Sequence, residues 1–277
     1  MDEPAEQGRR VAAILEYDGT EFAGWQSQEH ARCIQDVVEE ALSFVAGHAL
    51  TATCAGRTDR GVHAAAQVIH FDPKVSRTPR AWVLGANTRL PPSIALQWAG
   101  EPAPGFHARH RAIRRVYRYC ILNRSERSAL AYRRAAWIVK PLEAPLLHAA
   151  AQCLVGEHDF SSFRSAECQS PTPVRRVERI EVRREGDYLW LEIAANAFLH
   201  HMVRNIVGTL LKVQSGPDPS ASLAQVLAGR DRRLGGATAP PEGLYLWRVE
   251  YPAASGVPEL SAGGLPLPPG AGPRQLS

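Results

Sequence analysis

The sequence predicts an α+β protein in which the order β-α-β-β-α-β occurs twice. Three observations carry this. Apolar runs of strand length alternate with segments whose apolar residues recur every three or four positions. Glu185-Gly186-Asp187 separates two alternating runs, as a hairpin turn does. The same order of elements then appears on either side of residue 105. Such a unit is ferredoxin-like.

In the first half, Val11 to Tyr17 reads as a strand. Ile34 to Val45 carries Ile34, Val37, Val38, Ala41, Leu42 and Val45, the spacing of an amphipathic helix. Leu50 to Ala55 and Gln67 to Phe71 read as strands around a glycine-bracketed loop. Arg77 to Thr88 is a helix whose start Pro79 limits, and Ile94 to Ala99 is a strand. In the second half, Arg115 to Leu122 alternates as a strand and Leu142 to Leu154 is helical. Val177 to Arg184 and Tyr188 to Ala195 form the hairpin, Phe198 to Val213 is a long helix, and Tyr245 to Tyr251 closes as a strand. The predicted organisation is a polar segment 1–9, a first domain 10–105, a second domain 106–252 and a Pro/Gly-rich mobile tail 253–277.

Composition narrows the function. No run approaches the roughly 20 apolar residues of a membrane span. The start, Met-Asp-Glu-Pro-Ala-Glu-Gln, is unlike a signal peptide. The five cysteines are odd in number and lack a C-x-x-C pair, which argues against a disulfide framework or zinc module and for a reducing cytoplasm. His63, His70, His200 and His201 lack ligand spacing, so no metal is expected. Gly-x-Gly-x-x-Gly and Walker loops are absent, so no nucleotide cofactor is expected. Net charge is +4, and only Lys74, Lys140 and Lys212 among the 32 basic residues are lysines. Arginines cluster at Arg109, Arg111, Arg114, Arg115 and Arg118, interleaved with Tyr117 and Tyr119, and again at Arg175, Arg176, Arg179, Arg183 and Arg184. Guanidinium groups meet phosphates and aromatic rings stack on bases, so this pattern suits nucleic acid as well as an ordinary solvated face.

The most informative window is Gly56 to Ala64, Gly-Arg-Thr-Asp-Arg-Gly-Val-His-Ala. Asp59 sits between Arg57 and Arg60, and glycines bracket the three. Flanking guanidinium charge favours the carboxylate, giving an acid suited to act as nucleophile or base. A solvated hairpin turn fits the same nine residues.

Cys54 to Phe71 resembles the catalytic signature of the TruA-type tRNA pseudouridine synthases. Tyr17 to Gln28, Phe106 to Arg109, Arg114 to Tyr119, Gly156 to Arg164, Asn196 to Gly208 and Gly243 to Leu246 are similar to that family's other motifs, in the same order. Arg60 departs from the pattern, since bacterial relatives often carry a small residue there. The resemblance implies two ferredoxin-like halves forming a joined antiparallel sheet with a central RNA-binding cleft. It implies isomerisation of uridine to pseudouridine at positions 38, 39 and 40 of the tRNA anticodon stem-loop, by a homodimer, with no cofactor. It makes Asp59 the catalytic aspartate, a nucleophile or base, with Arg204 pairing to it and Arg57 helping to extrude the target base. It makes Tyr117 the cover of the uracil. Leu246 is either the floor of the base pocket or core, and Arg109 and Arg111 are expected to hold RNA. Asp59 has three routes open: attack on the anomeric carbon, attack on the ring, or removal of a sugar proton to give a glycal. A silent RNA-binding protein of the same strand order and an aspartate-dependent hydrolase are the competing readings.

Overall fold

The computed structural model describes residues 10–260. The segment 1–9 and most of the predicted tail, 261–277, lie outside the described residues. The elements are, in chain order, β1 (Val11–Tyr17), α1 (Ile34–Ala46), β2 (Thr53–Cys54), β3 (His63–Phe71), α2 (Pro79–Asn87), β4 (Ile94–Gly100) and β5 (Arg114–Leu122). There follow β6 (Ala136–Trp137), α3 (Ala144–Ala151), β7 (Gly156–Asp159), β8 (Val174–Glu185), β9 (Tyr188–Ala195), α4 (Met202–Val213), α5 (Pro219–Gly229) and β10 (Leu244–Glu250). The predicted α+β class, with largely antiparallel strands, is observed. Of the described residues, 10–113 and 246–260 form one compact unit and 114–245 another.

In the first unit β1 lies between β3 and β4, antiparallel to both. The two-residue β2 takes the other edge of β3. Helix α1 buries Ile34, Val38, Ala41 and Leu42 and ends on Gly47, whose left-handed φ of 72° lets its N–H close on Ser43. Helix α2 starts at Pro79, with Thr78 Oγ1 accepting from Ala81 N at 3.2 Å. β2 is shorter than the apolar run predicted because the amides before it are already taken. Leu50 N donates to Ser43 Oγ at 2.9 Å and Ala52 N to Glu39 Oε1 at 2.8 Å.

In the second unit the order is β5-β9-β8-β7, all antiparallel, with β6 parallel to the end of β5. Helix α4 begins at Met202, later than its apolar pattern predicts, because His201 takes a left-handed φ of 62°. The helix is pinned sideways by Asn205, which is buried. Its Nδ2 donates to Phe163 O at 2.9 Å, and its Oδ1 accepts from Thr238 Oγ1 at 2.7 Å and Arg232 Nη2 at 3.0 Å. Gly208 lets loop 236–239 touch the helix backbone, since a Cβ there would stand 1.7 Å from Ala237 O. Gly208→Ala should therefore lower stability by about 1–3 kcal/mol, although the same change in an open helix gains up to about 1 kcal/mol. Thermal unfolding checks the sign, and a raised Tm would contradict the contact.

Candidate active site

The Asp59 loop springs from the β2–β3 pair and is held from below by strand side chains. Gln67 is fully buried; its Nε2 donates to Gly56 O at 2.6 Å and to the Tyr17 hydroxyl at 3.3 Å. That hydroxyl lies 2.8 Å from Thr58 Oγ1. From the other side the segment 19–25 presses backbone against backbone. Trp25 N donates to Thr58 O at 2.9 Å, Gly61 N to Phe22 O at 3.3 Å, and Gly24 bridges Asp59 as in a strand pair. The approach is close enough to require glycine. A Cβ on Gly19 would stand 2.0 Å from Val62 O, and one on Gly24, whose φ is +109°, would stand 2.7 Å from Thr58 O. Phe22 and Trp25 bury their rings and anchor the segment.

Alternation along the pinned loop then decides exposure. Thr58 is buried, Asp59 is half-buried, and Arg57 and Arg60 are exposed. Nearby, His63 Nδ1 lies 3.2 Å from Asp18 Oδ1. Burial pushes the Asp18 carboxyl up, but hydrogen bonds from His63 and Thr20 outweigh it and hold the acid well below the usual carboxylate range. Burial also pushes the Cys54 thiol up to about 12, so it stays protonated and inert at neutral pH.

Arg109 and Arg111 stand exposed on the loop that follows β4. The charges of Arg57 and Arg109 both act on Cys54, so this loop neighbours the Asp59 loop. Leu246 is fully buried in β10.

The second unit contains Tyr117 and Arg204. Tyr117, on β5, is 8% exposed and sets its ring edge-on to Phe198 at 4.9 Å between centroids. Tyr119 is fully buried and donates to Pro240 O at 2.7 Å. Arg204 lies in the first turn of α4, half-buried, with Nε donating to Ala239 O at 2.8 Å while Ala239 N donates back to Arg204 O at 3.1 Å. These two backbone contacts aim the side chain and were invisible in the sequence, as was the Asn205 network; a lone Asn on the apolar face of a helix was the available signal.

Most of the two arginine clusters proves to be internal wiring. Arg118 Nε donates to Glu192 Oε2 at 2.6 Å, and Arg179 pairs with the same carboxylate. Arg114 pairs with Glu178, and Arg115 Nη1 donates to Asn196 O at 2.9 Å. Arg175 is buried against the carbonyls of Thr172 and Val174, Arg183 lies 3.6 Å from Glu185, and Arg184 donates to Asn123 Oδ1 and Leu142 O at 2.7 Å. The strands of this unit thus use arginine to satisfy carbonyls and carboxylates. Arg57, Arg60, Arg109 and Arg111, by contrast, are exposed.

A family model described as tRNA pseudouridine synthase matches residues 13–110 and 150–252. The chain is 52% identical over 252 residues to a tRNA pseudouridine synthase A of Nitrosococcus oceani, covering 91% of this chain and 97% of that one. It is 54% identical over 248 residues to that of Methylococcus capsulatus, covering 90% and 92%. It is 50% identical over 259 residues to that of Aeromonas hydrophila, covering 94% and 96%.

His70 supplies a pH signature for the first unit. Burial, with Arg10, His107 and His110 nearby, pushes its pKa down to about 4, against the opposing pull of Asp72. The folded state therefore binds fewer protons than the unfolded chain between pH 6.5 and 4, and stability falls as pH drops through that window. An NMR titration should find His70 neutral down to about pH 4. Titration near the ordinary value of about 6.5 would contradict this environment.

Proposed function

The chain belongs to the tRNA pseudouridine synthases, isomerases that act on tRNA uridine, and we propose that Asp59 is its catalytic carboxylate and the anticodon stem-loop its target. The observation that carries this is the Asp59 loop. A half-buried acid, flanked in the chain by two exposed arginines, is fixed by backbone contacts on both sides of the loop. A reaction that breaks and remakes a bond to the same sugar needs an acid of fixed position, because rate depends steeply on alignment.

The sequence of events is as follows. The tRNA backbone is drawn to exposed arginines, Arg109 and Arg111 among them. The target uridine leaves its stack, and Arg57, beside Asp59, takes part in extruding it. Tyr117 stacks on the uracil, with Phe198 bracing its ring. Leu246 contributes apolar surface to the base pocket. Asp59 attacks the anomeric carbon or the ring, or removes a sugar proton, and Arg204 serves the same step. The glycosidic bond to N1 breaks, the uracil turns, carbon 5 bonds to the sugar as any bond to Asp59 is released, and the proton displaced from carbon 5 is balanced by one gained at N1. No atom is lost and none is added, so the reaction closes without a redox partner. The targets are uridines 38, 39 and 40.

The same reading includes cytoplasmic location and a homodimer in which one tRNA touches both subunits. Among the described residues no helix is long and apolar enough to cross a membrane. Leu130, Tyr132, Trp137 and Val139 expose apolar surface of the kind a second copy buries.

Asp59→Asn keeps the shape and removes the carboxylate. Turnover should fall by roughly 10²–10⁴-fold or more with tRNA affinity nearly unchanged, and Arg204→Ala should also cripple turnover. Pseudouridine mapping in tRNA from cells with and without the gene reads out the target positions. A variant within about tenfold of wild type would remove Asp59 from the chemistry.

For Tyr117, Phe should keep the stacking contribution of roughly 1–3 kcal/mol that Ala loses. Single-turnover rates compare the two substitutions. Equal losses would mean that stacking is not the role of this ring.

A further inference from the structure

The backbone of Ala108 is gripped at both its N–H and its carbonyl by side chains remote in sequence. His70, on β3, accepts its N–H at Nδ1, 3.2 Å away. The hydroxyl of Tyr251, just past β10, donates to its carbonyl at 2.6 Å. Ala108 is completely buried, and the next residue, Arg109, is exposed. The grip is itself braced. The Phe106 ring lies between its two jaws, 6.3 Å from His70 and 5.1 Å from Tyr251. Phe106 O accepts from Arg10 Nη1 at 2.6 Å, and Arg10 is oriented by a two-point pair with Asp72 at 2.8 and 2.7 Å. On the far side His107 Nδ1 accepts from the amides of Arg109 at 3.2 Å and His110 at 3.3 Å.

Loops that pack only on their own backbone need none of this. Here two buried polar side chains, costly to bury unless bonded, converge on the two peptides that flank Ala108, and the second of these leads to an exposed arginine. A guanidinium on a free loop loses backbone and rotamer freedom on meeting a phosphate; one on a fixed peptide has surrendered the backbone share in folding.

We propose that His70 and Tyr251 are positioning residues that fix the backbone of Ala108 and so aim Arg109 at the tRNA backbone. This rests on the reading that Arg109 meets a phosphate. His70 acts only as a neutral acceptor, in the tautomer that carries its proton on Nε2.

The test measures tRNA affinity against salt in wild type, Tyr251→Phe, Arg109→Ala and the double variant. Tyr251→Phe removes one hydroxyl and spares the ring. It should weaken binding about five- to tenfold and flatten the log–log salt slope in the same direction as Arg109→Ala, which removes about one unit of slope. The double variant should bind no worse than Arg109→Ala alone. His70→Leu should behave like Tyr251→Phe, and His70→Asn, whose Oδ1 can stand in for Nδ1, should restore binding. Multiplying losses in the double variant, or an unchanged slope in Tyr251→Phe, would overturn the positioning role while leaving the Arg109 contact in place. An Arg109→Ala protein with unchanged affinity and slope would instead remove the phosphate contact itself, and the positioning role with it.

Discussion

The first unit depends on one backbone contact: the segment 19–25 lying against the loop 58–62 at a distance only glycine allows. Gly19 faces Val62 O and Gly24 faces Thr58 O. Because two chains of backbone meet, their polar groups pair with each other, and neither loop has to fold on its own. Phe22 and Trp25 supply the buried apolar area that holds the segment down. Gln67 and Tyr17 supply the polar floor. What emerges at the surface is one carboxylate with its flanking arginines. The rigidity of this loop comes from packing and from backbone pairing, in which Asp59 takes part through its bridge to Gly24 and its carbonyl's contact with Val62 N.

Arginine serves two ends in this chain. In β5 and β8 it is structural, satisfying carboxylates and carbonyls with several donors per side chain. Around the Asp59 loop it stays exposed. Both uses look alike in a string of letters, because a strand alternates faces and both faces here accept arginine. The separation appears only when each partner is located: Glu192 and Glu178 take up charge that composition alone leaves open between nucleic acid and a solvated face.

Much of the architecture was legible because periodicity reflects burial. β1 and β9 fall where their apolar runs lie, and α1 follows its apolar stripe. β7 was not legible: Gly-Glu-His-Asp has no apolar alternation and exists through its backbone pairing with β8. α5 escaped notice because its apolar stripe is narrow, burying Pro219, Leu223 and Val226, although Asp218 followed by Pro219 was a start signal. At the site, the Asp59 window announced itself through residue types. The Asn205 network and the grip on Ala108 did not, since each joins residues far apart in sequence through a few polar contacts.

The most direct measurement on the central claim, that backbone contact through glycine places the carboxylate, is the rate of pseudouridine formation by Gly19→Ala at saturating tRNA. The substitution touches no charged group. A folded variant should lose about 10²-fold in kcat while its affinity for tRNA stays close to wild type. A folded Gly19→Ala protein that turns over at the wild-type rate would show that Asp59 is placed by something else.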